Sequence, residues 1–407
     1  MKPAIVSVLL ACVLVFYANF LIYNTSPVAL DGSLPLLTVI QNVPLVSAIS
    51  ATLLYICAFY LLLTLDTLKD TRVFGYVLLV LVGIVTVSEI AVQSSAWILT
   101  RPVGGFTDEY VLQYFSAIAL LHGTNPYTVN FTQDITSMVP LYYRTILPNG
   151  SIVHNMDYPA FAFLYYLPAA TLGVSGIYQD VVVILLFLTF AVWKSPIDYK
   201  WFIPMVFILD YTCSVFIAGS ITDAAWVVMV CLAVFTIKNP RLSAILMGLA
   251  ISYKEEAIVI LPFYLILIYK TYGISLLKVR MFWIGATALA INLPFFLLAP
   301  KVFIQDILIP ITAPLEVGGV GLSLFDLPKE FYTFLFVVSL VLGFVAYYKW
   351  FPELRIGGFV AFPMIALWLN ARSLQSYMVY FPVIAAVAVM VLMNTDLLEP
   401  LTKEQTP

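Results

Sequence analysis

The residue types that do acid–base chemistry are concentrated in one stretch of this chain. It opens with Phe106-Thr107-Asp108-Glu109-Tyr110 and closes with Asp157-Tyr158-Pro159, and it holds four acidic residues, both histidines (His122 and His154) and Asn125-Pro126-Tyr127. Asp108 and Glu109 follow an apolar run, so a partly desolvated carboxylate here suits a general base acting on a hydroxyl nucleophile. Neighbouring residues point apart, so the two need not share one role. A local reading competes: Thr107 or Asp108 caps a short helix, because the apolar positions of 110–121 recur at helical spacing. Capping by Thr107 and reaction at Asp108 are compatible. The helix is expected to lie flat on the membrane and to stop at His122-Gly123-Thr124-Asn125-Pro126-Tyr127, a run of helix breakers.

Cations come from other parts of the chain. Lys254-Glu255-Glu256 interrupts an apolar stretch. A charge at bilayer depth costs roughly 2.5–3.5 kcal/mol on insertion scales, so it is usually paired or functional. Lys254 reads either as a cation at the outer mouth of a broken helix, holding an anionic group, or as half of an internal ion pair with Glu255 or Glu256. Arg101, Arg144 and Arg372 are anion candidates, since a guanidinium meets phosphate oxygens with a fork of donors. Arg372 also reads as an interfacial anchor. Glu89 and Asp210 are expected to be structural carboxyls within spans. Asp223, after Gly219-Ser220-Ile221-Thr222, reads first as a helix cap, with a second role in an outer cavity as the alternative. His122 and His154 are far apart and read as polar loop residues rather than a zinc pair. Gly318-Gly319-Val320-Gly321 lacks the strand-before, helix-after context of a nucleotide loop and reads as a flexible external turn.

The elements that must position these groups are membrane helices. Hydrophobic residues make up 62% of the 407-residue chain and charged residues 10%, against about half and a quarter in an ordinary soluble domain. A net charge of −3 leaves no basic footprint for nucleic acid. Cys12, Cys57, Cys213 and Cys231 lie in apolar stretches and read as buried small hydrophobes. Spans are expected at 4–24, 43–64, 73–99, 158–173, 179–193, 201–218, 222–237, 241–270, 280–299, 331–349, 356–369 and 376–393, or about 11–13 crossings in all. The first reads as an anchor rather than a signal peptide.

Lys2, Lys69/Arg72, Lys238/Arg241, Lys270/Lys278/Arg280 and Lys349/Arg355 mark cytoplasmic loops. Segments 25–42, 100–157, 300–330 and 370–375 then fall outside, as do the sequons at Asn24, Asn130 and Asn149. Two places break the alternation. Both ends of 241–270 are basic, which suits two short helices meeting at Lys254-Glu255-Glu256. Between Tyr158 and Lys238 four apolar stretches must give an odd number of crossings, so one is re-entrant or two fuse. The expected fold is all-α: one transmembrane domain over 1–407, with a catalytic loop at 100–157 carrying short interfacial helices, a second external loop at 300–330 and a cytoplasmic tail at 394–407.

The order of these features resembles the GT-C superfamily of membrane glycosyltransferases, in particular its mannosyltransferase-like families that use polyprenyl-phosphate sugars. The resemblance rests on Thr107-Asp108-Glu109-Tyr110, Tyr114-Phe115-Ser116-Ala117, Leu120-Leu121-His122-Gly123-Thr124-Asn125-Pro126-Tyr127 and Tyr158-Pro159-Ala160-Phe161. It continues through Gly248-Leu249-Ala250-Ile251-Ser252-Tyr253-Lys254, Leu261-Pro262-Phe263 and Arg372-Ser373-Leu374-Gln375-Ser376-Tyr377. The chain departs from the family in having two apparent spans before the one leading into the catalytic loop, Glu255-Glu256 after Lys254, and Ala160 where a second proline is common.

The resemblance implies that Asp108 is the catalytic carboxylate, with Glu109 the alternative, and that Lys254 and Arg372 face the donor phosphate, beside Arg101. Tyr110, Tyr127, Tyr158, His122 and Glu255, in or beside these motifs, form the expected substrate-binding set. No cofactor is expected, and a divalent metal is left open. The implied activity is transfer of a hexose, mannose first, from a polyprenyl phosphate to a lipid-linked glycan, glycolipid or protein at the outer face of the cell membrane. A transporter or lipid flippase is the alternative, and a structural subunit would leave Asp108, Lys254 and Arg372 without work.

Overall fold

A computed structural model describes residues 44–63, 107–147, 150–196, 202–210, 221–308, 318–325 and 327–393, with isolated residues between 5 and 19 and at 213 and 217. The protein is mostly helical. Gly176–Lys194, Glu255–Leu298, Lys329–Lys349 and Phe351–Trp368 are long and apolar enough to cross a membrane. The first three of these carry exposed Leu186, Phe282, Phe334 and Leu342, a surface that suits hydrocarbon rather than water. The chain is an integral membrane protein. Glu89, Arg101, the sequons at Asn24 and Asn149, the expected span 73–99 and the tail 394–407 lie outside the described residues.

The chain divides into two compact units, one drawn from residues 1–101, 201–214 and 317–390 and the other from 102–200, 215–316 and 391–407. In the first, Pro44–Leu63 packs on Phe351–Trp368, with Trp368 ringed by Tyr55 and Phe59 at centroid distances of 6.1 and 5.6 Å. Asp210 is fully buried there, and Cys12 and Cys213 are buried as expected. Cys57 is exposed, because its helix turns that side away from Phe351–Trp368.

The turn expected at Gly318-Gly319-Val320-Gly321 is instead a tight piece of backbone pairing. Gly318–Gly319 runs parallel to Arg372–Ser373. Gly319 has φ 133°, and a Cβ there would stand 2.2 Å from the Ser373 carbonyl oxygen; one on Gly321 would stand 1.9 Å from that of Trp368. Ser373 Oγ completes the junction with the Gly321 amide at 2.7 Å and the Ser323 hydroxyl at 2.9 Å. These glycines serve close approach, not flexibility.

The second unit begins with the helix Asp108–Leu121, closed at its far end by His122 and Gly123. The expected span 158–173 is instead two short helices, Phe161–Leu164 and Leu167–Thr171, neither long enough to cross. Pro168 cannot donate an amide to the helical ladder, and the run ends at Gly173 with φ 64°. Gly176–Lys194 follows, capped by the Ser175 hydroxyl.

Ala224–Phe235 and Pro240–Ile251 then lead to Glu255–Leu298. The expected break at Lys254 is present, since Pro240–Ile251 ends at Ser252 and the next helix starts at Glu255. The two pack antiparallel: Ser243 Oγ lies 2.6 Å from Tyr264 Oη. A second reversal falls inside Glu255–Leu298, at Gly273 (φ 80°, ψ 178°). Arg280 accordingly stacks 4.9 Å over the Tyr272 ring, and Asn292 Nδ2 comes back to within 3.4 Å of Ser252 Oγ. Both basic ends of the expected 241–270 span thus lie at the same end of a hairpin.

Candidate functional site

The helix Asp108–Leu121 starts where Thr107 adopts an extended backbone and its hydroxyl accepts the Tyr110 amide at 3.2 Å. This cap leaves Asp108 and Glu109 in the first turn, where the helix dipole favours negative charge. The two carboxylates then diverge. Asp108 folds back: Oδ1 accepts the Glu109 amide at 2.8 Å and Oδ2 accepts the amide of Thr145. It ties the helix to the 141–147 loop.

Glu109 reaches Lys254. The lysine sits at the helix break with an extended backbone (φ −153°, ψ 152°), which releases its side chain from the regular helical surface. Its Nζ lies 2.7 Å from Asp223 Oδ1, 2.9 Å from Glu109 Oε1 and 3.9 Å from Glu256 Oε1. The Tyr158 ring stands 5.7 Å from the same nitrogen, within cation–π range. The Lys254 side chain is 3% exposed, Asp223 and Glu256 are fully buried, and Glu109 keeps 12% of its surface.

Supporting bonds fix this geometry. Trp226 Nε1 donates to Asp223 Oδ1 at 2.8 Å, and the Thr222 hydroxyl donates to Glu109 Oε1. Tyr253 Oη lies 2.9 Å from Gln113 Oε1 and 3.2 Å from the Thr222 carbonyl oxygen, which share its one proton, and it joins the helix break to the 108–121 helix. Asp223 makes no side-chain cap bond, so the cap expected of it gives way to the ion pair. Burial pushes the Glu109 carboxyl up from its ordinary value to about 7, against the pull of Lys254; Asp223 adds to the rise and Thr222 opposes it. A carboxyl poised there exchanges protons near neutrality with little driving force either way.

The chain matches no known protein family, curated protein or solved structure. The site is therefore read from its own geometry.

Of the residues singled out in the sequence, Glu109, Lys254 and Tyr158 come together, with Glu255 opening the next helix beside them. Tyr110 points elsewhere: its hydroxyl bridges the Ser175 hydroxyl and the Gly176 amide, both at 2.9 Å. Tyr127 is buried against Phe303 at 4.7 Å and donates to the Tyr158 carbonyl at 2.8 Å, which makes it a prop for Tyr158. His122 stands at the opposite end of the 108–121 helix, where its Nδ1 meets the Ile118 carbonyl at 2.9 Å; that end is about 20 Å from Glu109. Arg372 belongs to the first unit, partly buried in the pairing with Gly318–Gly319.

Arg144 is not an open anion fork. Its Nε and Nη2 donate to the carbonyls of Val139 and Thr136 at 2.7 and 2.9 Å, closing the C-terminal end of Thr132–Met138. Among the described residues no three His, Cys, Asp or Glu side chains are grouped to hold a metal ion. An open cleft of about 250 Å³ is lined by Tyr127, Thr128, Val129, Asn130, Asn155 and Val302. Behind Asn155 the buried Asp306 accepts its amide at 3.1 Å. Asp223 and Thr222 are the functional positions that sequence reasoning undervalued. The signal was there in a polar pair preceding an apolar helix, but only tertiary structure connects it to Lys254.

Proposed function

We propose that this protein is a membrane glycosyltransferase of GT-C type that moves a hexose, mannose in the first instance, from a polyprenyl phosphate to a hydroxyl acceptor at the outer membrane face. The acceptor is a lipid-linked glycan, a glycolipid or a protein. The observation that carries this reading is Glu109: a partly exposed carboxyl, held by a buried lysine and poised near neutrality. In this role Glu109 takes the proton of the acceptor hydroxyl. The acceptor oxygen then bonds to the anomeric carbon as the bond from that carbon to the phosphate oxygen breaks. The leaving polyprenyl phosphate keeps the electron pair, so the sugar needs no further activation. Asp108, the carboxylate favoured by the family resemblance, is here assigned to fastening the helix, because two backbone amides occupy it.

The test is incubation of the purified full-length protein with labelled polyprenyl-phosphate-mannose and a crude lipid acceptor extract. Transfer of label that Glu109→Gln abolishes supports the assignment. Transfer that survives in Glu109→Gln and vanishes in Asp108→Asn would return the base to Asp108. A second reading, transport, is favoured by Glu256, a fully buried carboxyl whose oxygens have no hydrogen-bond partner among the described residues. Buried charge of that kind lines translocation paths. Label crossing sealed vesicles without transfer to acceptor would support transport instead.

A further inference from the structure

Lys254 has the wrong surroundings for a phosphate ligand. An ammonium carries three donor hydrogens. Lys254 directs donors at Glu109 Oε1 and Asp223 Oδ1, while the Tyr158 ring and Glu256 fill the space around it, and 3% of the side chain is exposed. An incoming anion would have to displace a carboxylate from a dry site. It would also meet three acidic side chains set against one ammonium.

We propose that Lys254 is a positioning residue for Glu109: anchored from behind by Asp223, it holds the Glu109 carboxyl in place and favours its ionised form, and it does not bind the donor's phosphate. The assignment rests on the glycosyltransferase reading for what Glu109 does, but the clamp itself does not depend on it. Asp223 is suited to the anchoring role because it is fully buried and Trp226 fixes the same oxygen that meets the lysine. The charged and titratable groups that act on or around Glu109 are Lys254 and Asp223 directly, Glu256 through the lysine, and Tyr158, Tyr253 and Asp180 on the packed elements nearby. Lys254 alone among these is cationic, so its removal has a defined sign. Loss of an opposite charge at this distance raises a carboxyl by about one to three pH units.

The experiment is an infrared titration of the purified full-length protein without substrate, with the Glu109 carboxyl band assigned by its loss in Glu109→Gln. Lys254→Met should move the midpoint upward by about one to three pH units, and Lys254→Arg should bring it back near the wild-type value. Asp223→Asn should move it downward, because a negative neighbour is gone while the lysine remains; a damaged fold would not produce opposite shifts in the two variants. An unmoved midpoint in Lys254→Met, or an upward one in Asp223→Asn, overturns the clamp. Kinetics with labelled polyprenyl-phosphate-mannose add a second readout. The clamp predicts lower kcat at neutral pH, recovery at higher pH and an unchanged donor KM; a donor KM raised tenfold with an unchanged pH profile overturns it. If the wild-type protein transfers no sugar, the function fails while the titration still decides the clamp.

Discussion

Lys254 Nζ and Glu109 Oε1 meet at 2.9 Å although 145 positions separate the residues in sequence. The meeting depends on two local events. Thr107 starts a helix with Glu109 in its first turn, and the chain breaks out of helix just before Glu255. Neither event would place a carboxyl near a lysine without the bonds from Tyr253 to Gln113 and Thr222 that draw the two elements together.

The two adjacent carboxyls should separate by phenotype. Glu109→Gln is expected to lower sugar transfer by a factor on the order of 10²–10⁴, the usual worth of a general base. Asp108→Asn should lower the unfolding temperature, because hydrogen bonds to a charged acceptor are worth about 1.5–3 kcal/mol. An Asp108→Asn variant that loses transfer while unfolding at the wild-type temperature would contradict this division.

Activity should depend on pH through Glu109. Its carboxyl is pushed up to about 7 chiefly by burial, and only the ionised form takes a proton. The rate is expected to be low in acid and to rise through pH about 7. A profile of kcat/KM already flat between roughly pH 5 and 8 would exclude Glu109 as the titrating group.

Asp306 gives a stability signature of opposite dependence. Burial raises its carboxyl from 3.8 to about 6, although Asn155 and His154 pull the other way. The folded protein therefore prefers the protonated acid. That contribution is full below 3.8 and is lost as the pH rises through about 6. Asp306→Asn should flatten the fall in unfolding temperature over this interval, and an identical fall in wild type and variant would contradict the assignment.

The junction of Gly319 and Gly321 with Ser373 and Trp368 should not tolerate side chains. Gly321→Ala puts a carbon where the Trp368 carbonyl oxygen stands. A loss of about 1–3 kcal/mol or more is expected from overpacking alone, read as a lower unfolding temperature. Wild-type stability in this variant would mean that the pairing is looser than the backbone geometry requires.

Much of the site's framework was legible in the sequence, and the reasons are local. Thr107 before the helical spacing of 110–121, and His122-Gly123 after it, gave both ends of that helix. Basic residues at each end of 241–270 pointed to the break at Lys254. The charge on Lys254 named the site, but not which acid it holds, because Glu109 and Asp223 arrive from distant segments and Glu255 and Glu256 were nearer in sequence. The reversal at Gly273 falls in the loop that Lys270, Lys278 and Arg280 marked between the spans 241–270 and 280–299; what the charges could not show is that helix continues up to the glycine on both sides. Helical spacing likewise could not foresee that 158–173 would break into Phe161–Leu164 and Leu167–Thr171.

The bend at Gly273 also offers a handle on the living protein. Among the described residues no neighbouring atom comes within 4 Å of where a side chain on Gly273 would begin. The limb from Glu255 to the bend holds it about 27 Å from Lys254. A fluorophore or epitope grafted beside that glycine would report insertion and sidedness in intact cells while leaving the chemistry at the other end undisturbed.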